Sequence, residues 1–241
     1  MGHPNPYINE ILTFEQLKTW SLIVTIFGDL DSDVLTGAQL RKVLEPLGIK
    51  PEATRVALHR LKAEGWIAAQ RSGREAHYRL SAQGRSETEA VRAEVYGHAH
   101  KHPDGWRLIL SGQPFENDAG IQLSRDAWLV PACSADLPLD VWGIDPNNTA
   151  IPAWVETILV PPELGDTAMM LTGVLAKSRA RLDDMSPADL LALRLLTLHH
   201  WRRLALRRGT WAHLSLFKDG SIKRCRDAVI EMLDQSARTS L

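Results

Sequence analysis

Cysteine is almost missing from this 241-residue sequence. Cys133 and Cys225 stand far apart, each without a nearby partner, so neither a disulfide framework nor a cysteine-built zinc site is expected. Long apolar runs are missing too, since nothing approaches the roughly eighteen residues that a membrane span needs. The opening MGHPNPYINE has neither the basic start nor the apolar core of a secretion signal. Pro6 stands where a myristoylation signal wants Ser or Thr. A cytoplasmic protein without membrane attachment is the expectation.

Catalytic signatures are equally scarce. There is no Gly-x-Ser-x-Gly, no glycine-rich phosphate loop, no His-Glu-x-x-His and no Cys/His pairing. Asp183 and Asp184 are adjacent carboxylates, but sequence neighbours at a helix end do not face one another, so they read as loop charge. His98, His100 and His102 alternate, yet no carboxylate or cysteine completes a ligand set, and HAHKHPDG reads as a polar hinge. The expectation is no enzyme, no cofactor and no metal; an enzyme acting on a thioester would lack a nucleophile and a base.

A strong charge of either sign is absent from the whole, whose net charge is −1, but the average conceals an asymmetry. Residues 41–85 carry ten Lys and Arg against four Glu, whereas residues 1–40 carry Lys18 against five acids. A basic module within a near-neutral chain fits phosphate binding confined to one region. The same near-zero total charge keeps a second reading open, a protein-interaction module that does not bind DNA.

Across residues 13–97, which include that module, the punctuation is dense. Apolar residues at 14, 17, 20, 23, 24 and 27 predict a helix over 13–27 with Thr13 as N-cap and Gly28-Asp29 as its stop, after a loop-like start holding Pro4 and Pro6. Thr36-Gly37-Ala38-Gln39 has the form of a capping box and opens a short second helix closed by Pro46 and Gly48. Lys50-Pro51-Glu52 starts a third, with Pro in the first turn and Glu at the positive end of the helix dipole. On it Ala57, Leu58 and Leu61 form an inward stripe, while Arg55, His59 and Lys62 fall on the opposite side. Arg60 lies between, placed either for a phosphate or for a core contact. Gly65 ends the helix, Trp66 opens a strand, Gln70 to Arg74 form a hairpin tip with Gly73 at positive φ, and His77 to Leu80 return. Ser81 then caps a helix running to about Gly97. Such an order is that of a winged helix-turn-helix, in which Arg55, His59, Arg60 and Lys62 would meet the major groove and Arg71 and Arg74 the groove under the wing.

Four pieces resemble the PaaX-type bacterial transcriptional regulators, a family named for repressors of phenylacetate catabolism. They are SLIVTIFGD (21–29), ATRVALHRLKAEGW (53–66), SGREAHYRLSAQGR (72–85) and DGWRLIL (104–110). His59 stands where a small hydroxyl residue is common in that family, so its base preference does not carry over.

From residue 98 the character shifts. Short apolar runs at 106–110, 128–130, 141–144 and 155–160, separated by turn residues, predict a small sheet domain, which the resemblance implies is ferredoxin-like. After Pro161-Pro162 the chain turns helical, with helices expected over 165–182, from the Ser186-Pro187 cap through Trp201, and over 227–235. The fold expected is α+β in three parts: a winged helix-turn-helix over 1–97, a small ferredoxin-like α/β domain over 98–162 and a helical domain over 163–241. The resemblance implies an acyl-coenzyme A effector, for which His199, Trp201, Arg202 and Arg203 are the candidate contacts; an interface or salt-bridged helix is the plainer reading of that cluster. Trp106, Trp128, Trp142 and Trp154 read as core or interface anchors. The function expected is a homodimeric repressor that binds double-stranded DNA and is released by a small molecule such as an aromatic acyl-coenzyme A thioester.

Overall fold

The computed structural model describes residues 3–29, 34–73, 75–97, 105–113, 118, 120–134, 140–146 and 149–236. It is an α+β protein, predominantly helical, with two small antiparallel sheets. The chain begins with α1 (Pro6–Leu12), followed by α2 (Thr19–Asp29). Here the expected helix over 13–27 is corrected. Asn5 and Pro6 start a helix: the Asn5 carboxamide accepts from the Tyr7 and Ile8 amides, and Pro6 fills the first turn, where its missing N–H costs nothing. Thr13 ends that helix, its hydroxyl donating to the Glu10 carbonyl at 2.6 Å.

Strand β1 (Leu35–Thr36) leads into α3 (Gly37–Leu44), whose capping box is complete: Thr36 N–H donates to Gln39 Oε1 at 2.8 Å and Gln39 N–H to Thr36 Oγ1 at 3.1 Å. Then come α4 (Pro51–Ala63), β2 (Ile67–Ser72) and β3 (Glu75–Leu80). The three strands form one sheet in the order β1-β3-β2, with Ile67 opposite Leu80 and Thr36 opposite His77. Ser81 caps α5 (Ala82–Ala90), and the single helix expected there breaks at Val91 before α6 (Arg92–Tyr96).

The second sheet comprises β4 (Trp106–Ser111), β5 (Ile121–Ser124), β6 (Ala127–Pro131) and β7 (Val141–Ile144) in the order β5-β6-β4-β7. Strands β4 and β5 run parallel to one another on either side of antiparallel β6, the strand arrangement of a ferredoxin-like sheet. The crossovers 112–120 and 132–140 are nine residues each, shorter than the dozen or so that a helical crossover takes, and none of their described residues is helical. Strand β5 went unrecognised in the sequence because polar residues alternate with its apolar ones over only four positions. The expected strand at 155–160 is α7 (Ala153–Leu159): its apolar residues 154, 155, 158 and 159 have the i, i+4 spacing of a helix, and Val155 and Leu159 are buried.

Four helices complete the chain: α8 (Pro162–Ser178), α9 (Pro187–Ala205), α10 (Arg208–Leu216) and α11 (Ser221–Gln235). Three of them differ from expectation at an end, and one has no expected counterpart. Pro162 begins α8 three residues early, a 3₁₀ segment (Arg179–Asp184) replaces its last turn, α9 continues to Ala205, α10 was unforeseen, and α11 starts six residues before Asp227. Helix α9 is buried on all sides, every residue from Leu191 to Trp201 lying in the interior. Helix α2 packs on both α4 and α9, and α1 on α8 and α9, so the N-terminal elements share one core with the C-terminal helices.

Candidate nucleic-acid interface

Helix α4 divides cleanly by face. Thr54, Ala57, Leu58 and Leu61 are buried, while Arg55, Val56, His59, Arg60 and Lys62 are exposed. Its end is fixed by the backbone: Gly65 takes φ +78°, its N–H donates to the Lys62 carbonyl, and Trp66 N–H donates to the Leu61 carbonyl. These are the two hydrogen bonds of a Schellman stop, which leaves Trp66 partly buried against the core and directs the chain into β2.

Arg55, His59 and Lys62 therefore lie on one open face. Arg55 comes within 3.8 Å of Glu52, a pair in which both side chains are about three-quarters exposed and which holds it only weakly. Lys62 has no ion partner among the described residues. Arg60 is differently placed: its guanidinium donates to Glu64 at 2.7 Å and sits 5.2 Å over the Trp20 ring of α2. In the hairpin Arg71 is exposed on β2, and Gly73 has φ +60° as the turn requires. Arg74 lies outside the described residues. An open groove separates α3, the start of α4 and β3, lined by Arg41, Arg55, Thr54 and Tyr78. Arg41 and the outward Val56, 69% exposed, belong to this face and were not singled out from the sequence. The spacing of Leu40, Val43 and Leu44 marks the inward side of α3, and that signal would have found Arg41 on the outward one.

The four residues expected to meet an effector are scattered by the fold. His199 and Trp201 are interior, and the Trp201 indole N–H donates to the Val95 carbonyl at 2.9 Å. Burial, reinforced by His200 and nearby arginines, lowers His199 to a pKa of about 3. Burial likewise lowers His200 to about 4, against the opposing pull of Glu15. Arg203 forms an ion pair with Glu15 at the surface. Arg202 alone of the four reaches a cleft, where it donates to Thr25 Oγ1 at 3.1 Å. The hinge histidines 98, 100 and 102 lie outside the described residues, and no group of three or more metal-ligating side chains occurs among the described ones. No helix among them is long and apolar enough to cross a membrane.

Near that cleft is a buried charge cluster that sequence reading did not find. Asp29, at the end of α2, accepts from Arg194 Nε at 2.7 Å, from Arg194 Nη2 at 2.8 Å and from the Tyr96 hydroxyl at 2.8 Å. Arg194 also donates to the carbonyls of Leu233 and Ser236. Burial, with Asp29 beside it, pushes the Tyr96 hydroxyl far above its ordinary range.

The segment from α2 to the start of α5 defines the class. Residues 18–84 match the family model described as PaaX-like protein, so the resemblance is shown over this region, which holds every candidate DNA contact. A similar curated protein is the Transcriptional repressor PaaX of Escherichia coli (strain K12), 36% identical over 116 residues. The match covers 46% of this chain and 36% of that repressor, so the chain spans about a third of the relative's length.

Proposed function

We infer that this chain is a DNA-binding transcriptional regulator that acts as a repressor and is released from its operator by a small molecule. The observation that carries this reading is the exposed basic face of α4, with Arg55, His59 and Lys62 together and the Arg71 hairpin beyond it, inside a segment that is PaaX-like. A rigid helix backed by α2 and projecting one basic face has the form that enters a major groove, and a basic hairpin beside it suits the adjoining backbone. Arg55 and Lys62 serve as phosphate anchors and His59 as a base-edge contact. Arg60, tied to Glu64 and Trp20, positions α4 on α2 and touches DNA only from its rim. The protein acts as a homodimer on a two-fold operator. The effector class follows from the resemblance and is an aromatic acyl-coenzyme A thioester, with Arg202 the contact best placed of the four.

Selection from a random duplex pool tests this directly. The protein enriches a two-fold symmetric sequence and binds it with a log affinity that falls steeply with log salt. Enrichment of nothing, with no retention of duplex DNA at moderate salt, would leave the protein-interaction reading instead.

A further inference from the structure

Val56 is 69% exposed, and among the described residues no large apolar side chain is more open to solvent. A lone exposed valine is ordinary on a protein surface; its direction on α4 is what singles this one out. Each residue of a helix is turned about 100° from the last, so the buried Thr54, Ala57, Leu58 and Leu61 fix the inward direction of α4. Val56 and His59 straddle the line opposite, each about 30° to one side of it. Arg55 and Lys62 lie roughly 90–110° from the inward direction on one flank, and Arg60 about 110° from it on the other.

That arrangement sorts the face by charge. Cationic groups hold both flanks, while a valine and a histidine stand at the crest, with Glu52 of the first turn drawn toward Arg55 at 3.8 Å. A helix about 10–12 Å across fills a major groove about 12 Å wide, so its outermost side chains meet the base edges and its flanks meet the phosphate walls. The base edges present one purely apolar feature, the C5-methyl group of thymine. A branched aliphatic side chain suits that methyl group and no donor or acceptor. Valine is also a poorer helix former than alanine at an open position, so helix formation does not account for it.

We propose that Val56 is a sequence-reading residue whose methyl groups pack on the C5-methyl of a thymine in the major groove. His59 stands one helical turn further along α4, its Cβ roughly 5–6 Å from that of Val56, so the thymine lies within about two base-pair steps of the base that His59 meets. The assignment rests on the reading of α4 as the helix that enters the major groove. To the phosphate anchors it adds a contact that distinguishes thymine from uracil, its counterpart without the methyl group.

The test uses the full chain and the duplex it selects from a random pool, with each thymine replaced in turn by uracil, which removes the methyl group and leaves every donor and acceptor in place. At one thymine of each half-site, uracil weakens binding roughly fourfold, about what one carbon group withdrawn from water is worth. Val56→Ala, which keeps the fold because alanine is the better helix former at an exposed position, binds the thymine and uracil duplexes equally there. Lys62→Ala loses affinity for both duplexes and keeps the fourfold ratio. Sensitivity at no thymine, or a thymine-to-uracil ratio that Val56→Ala leaves intact, would overturn the assignment of Val56 while DNA binding stands. A pool from which no duplex is enriched or retained at moderate salt would overturn the DNA-binding reading, and this assignment with it.

Discussion

His199 and His200 show how much a single residue's setting decides. Both rings are nearly inaccessible and both are held neutral by burial, at pKa values of about 3 and about 4 against an ordinary 6.5. Their folded pKa values are lowered, so the stability they contribute is complete above about pH 6.5. Below that pH the unfolded chain takes up protons that the folded chain refuses, and stability falls as pH drops toward 4, by about 1.4 kcal/mol per pH unit for each imidazole. Urea midpoints between pH 7 and pH 5 check this. His199→Gln shallows the decline by about one imidazole's share, whereas parallel curves for the two proteins would contradict the assignment. The sequence marked this pair as notable beside Trp201, Arg202 and Arg203, but nothing in it separates a basic helix face from a buried one. Only the packing of α1, α2 and α6 around α9 turns Trp201 and His199 inward and leaves Arg202 at a cleft.

At the scale of elements, the junction of hairpin and α5 is the tightest point in the N-terminal half. A Cβ on Gly84 would lie 2.1 Å from the Trp66 carbonyl oxygen, which also accepts from Ser81 N–H at 3.0 Å. Backbone meets backbone there, so relief requires moving α5 off the hairpin. Gly84→Ala is expected to destabilise by about 1–3 kcal/mol or more. Gly173→Ala, in the middle of α8 with nothing within 4 Å of the added carbon, should instead stabilise by up to about 1 kcal/mol. Denaturant midpoints measure both; equal effects would refute the close approach. The elements of this half were legible because their ends are chemical: Thr36 with Gln39, Pro51, Gly65, Gly73 and Ser81 each fix a boundary by a hydrogen bond or a backbone angle. Elements with weaker punctuation were not legible. Asn5-Pro6 reads as a loop in the sequence although it is a cap with a first-turn proline, and the apolar run at 155–160 reads as a strand because so short a run fits both periods. Strand β5 has only four residues and a bulge between Gln122 and Ser124, so its alternation is too short to mark a strand.

For the molecule as a whole, the basic module is joined to the C-terminal helices by the Asp29–Arg194 pair and its links to Tyr96, Leu233 and Ser236. A buried ion pair gives little net stability over an apolar pair of similar volume but fixes geometry strongly, because either partner left alone would be an uncompensated buried charge. No periodicity or motif couples position 29 to position 194, so this contact could not be read from the sequence. The basic face itself could be, since charge, spacing and punctuation all fall within residues 41–85. The central claim is that this face grips DNA phosphates, and Lys62 is its cleanest probe because it is exposed and has no ion partner among the described residues. The decisive measurement is the affinity for the duplex selected by the protein, titrated with salt, for the unmutated chain and for Lys62→Ala. The account predicts a weaker complex whose log affinity against log salt slope is shallower by about 0.9. An unchanged slope and affinity would contradict it.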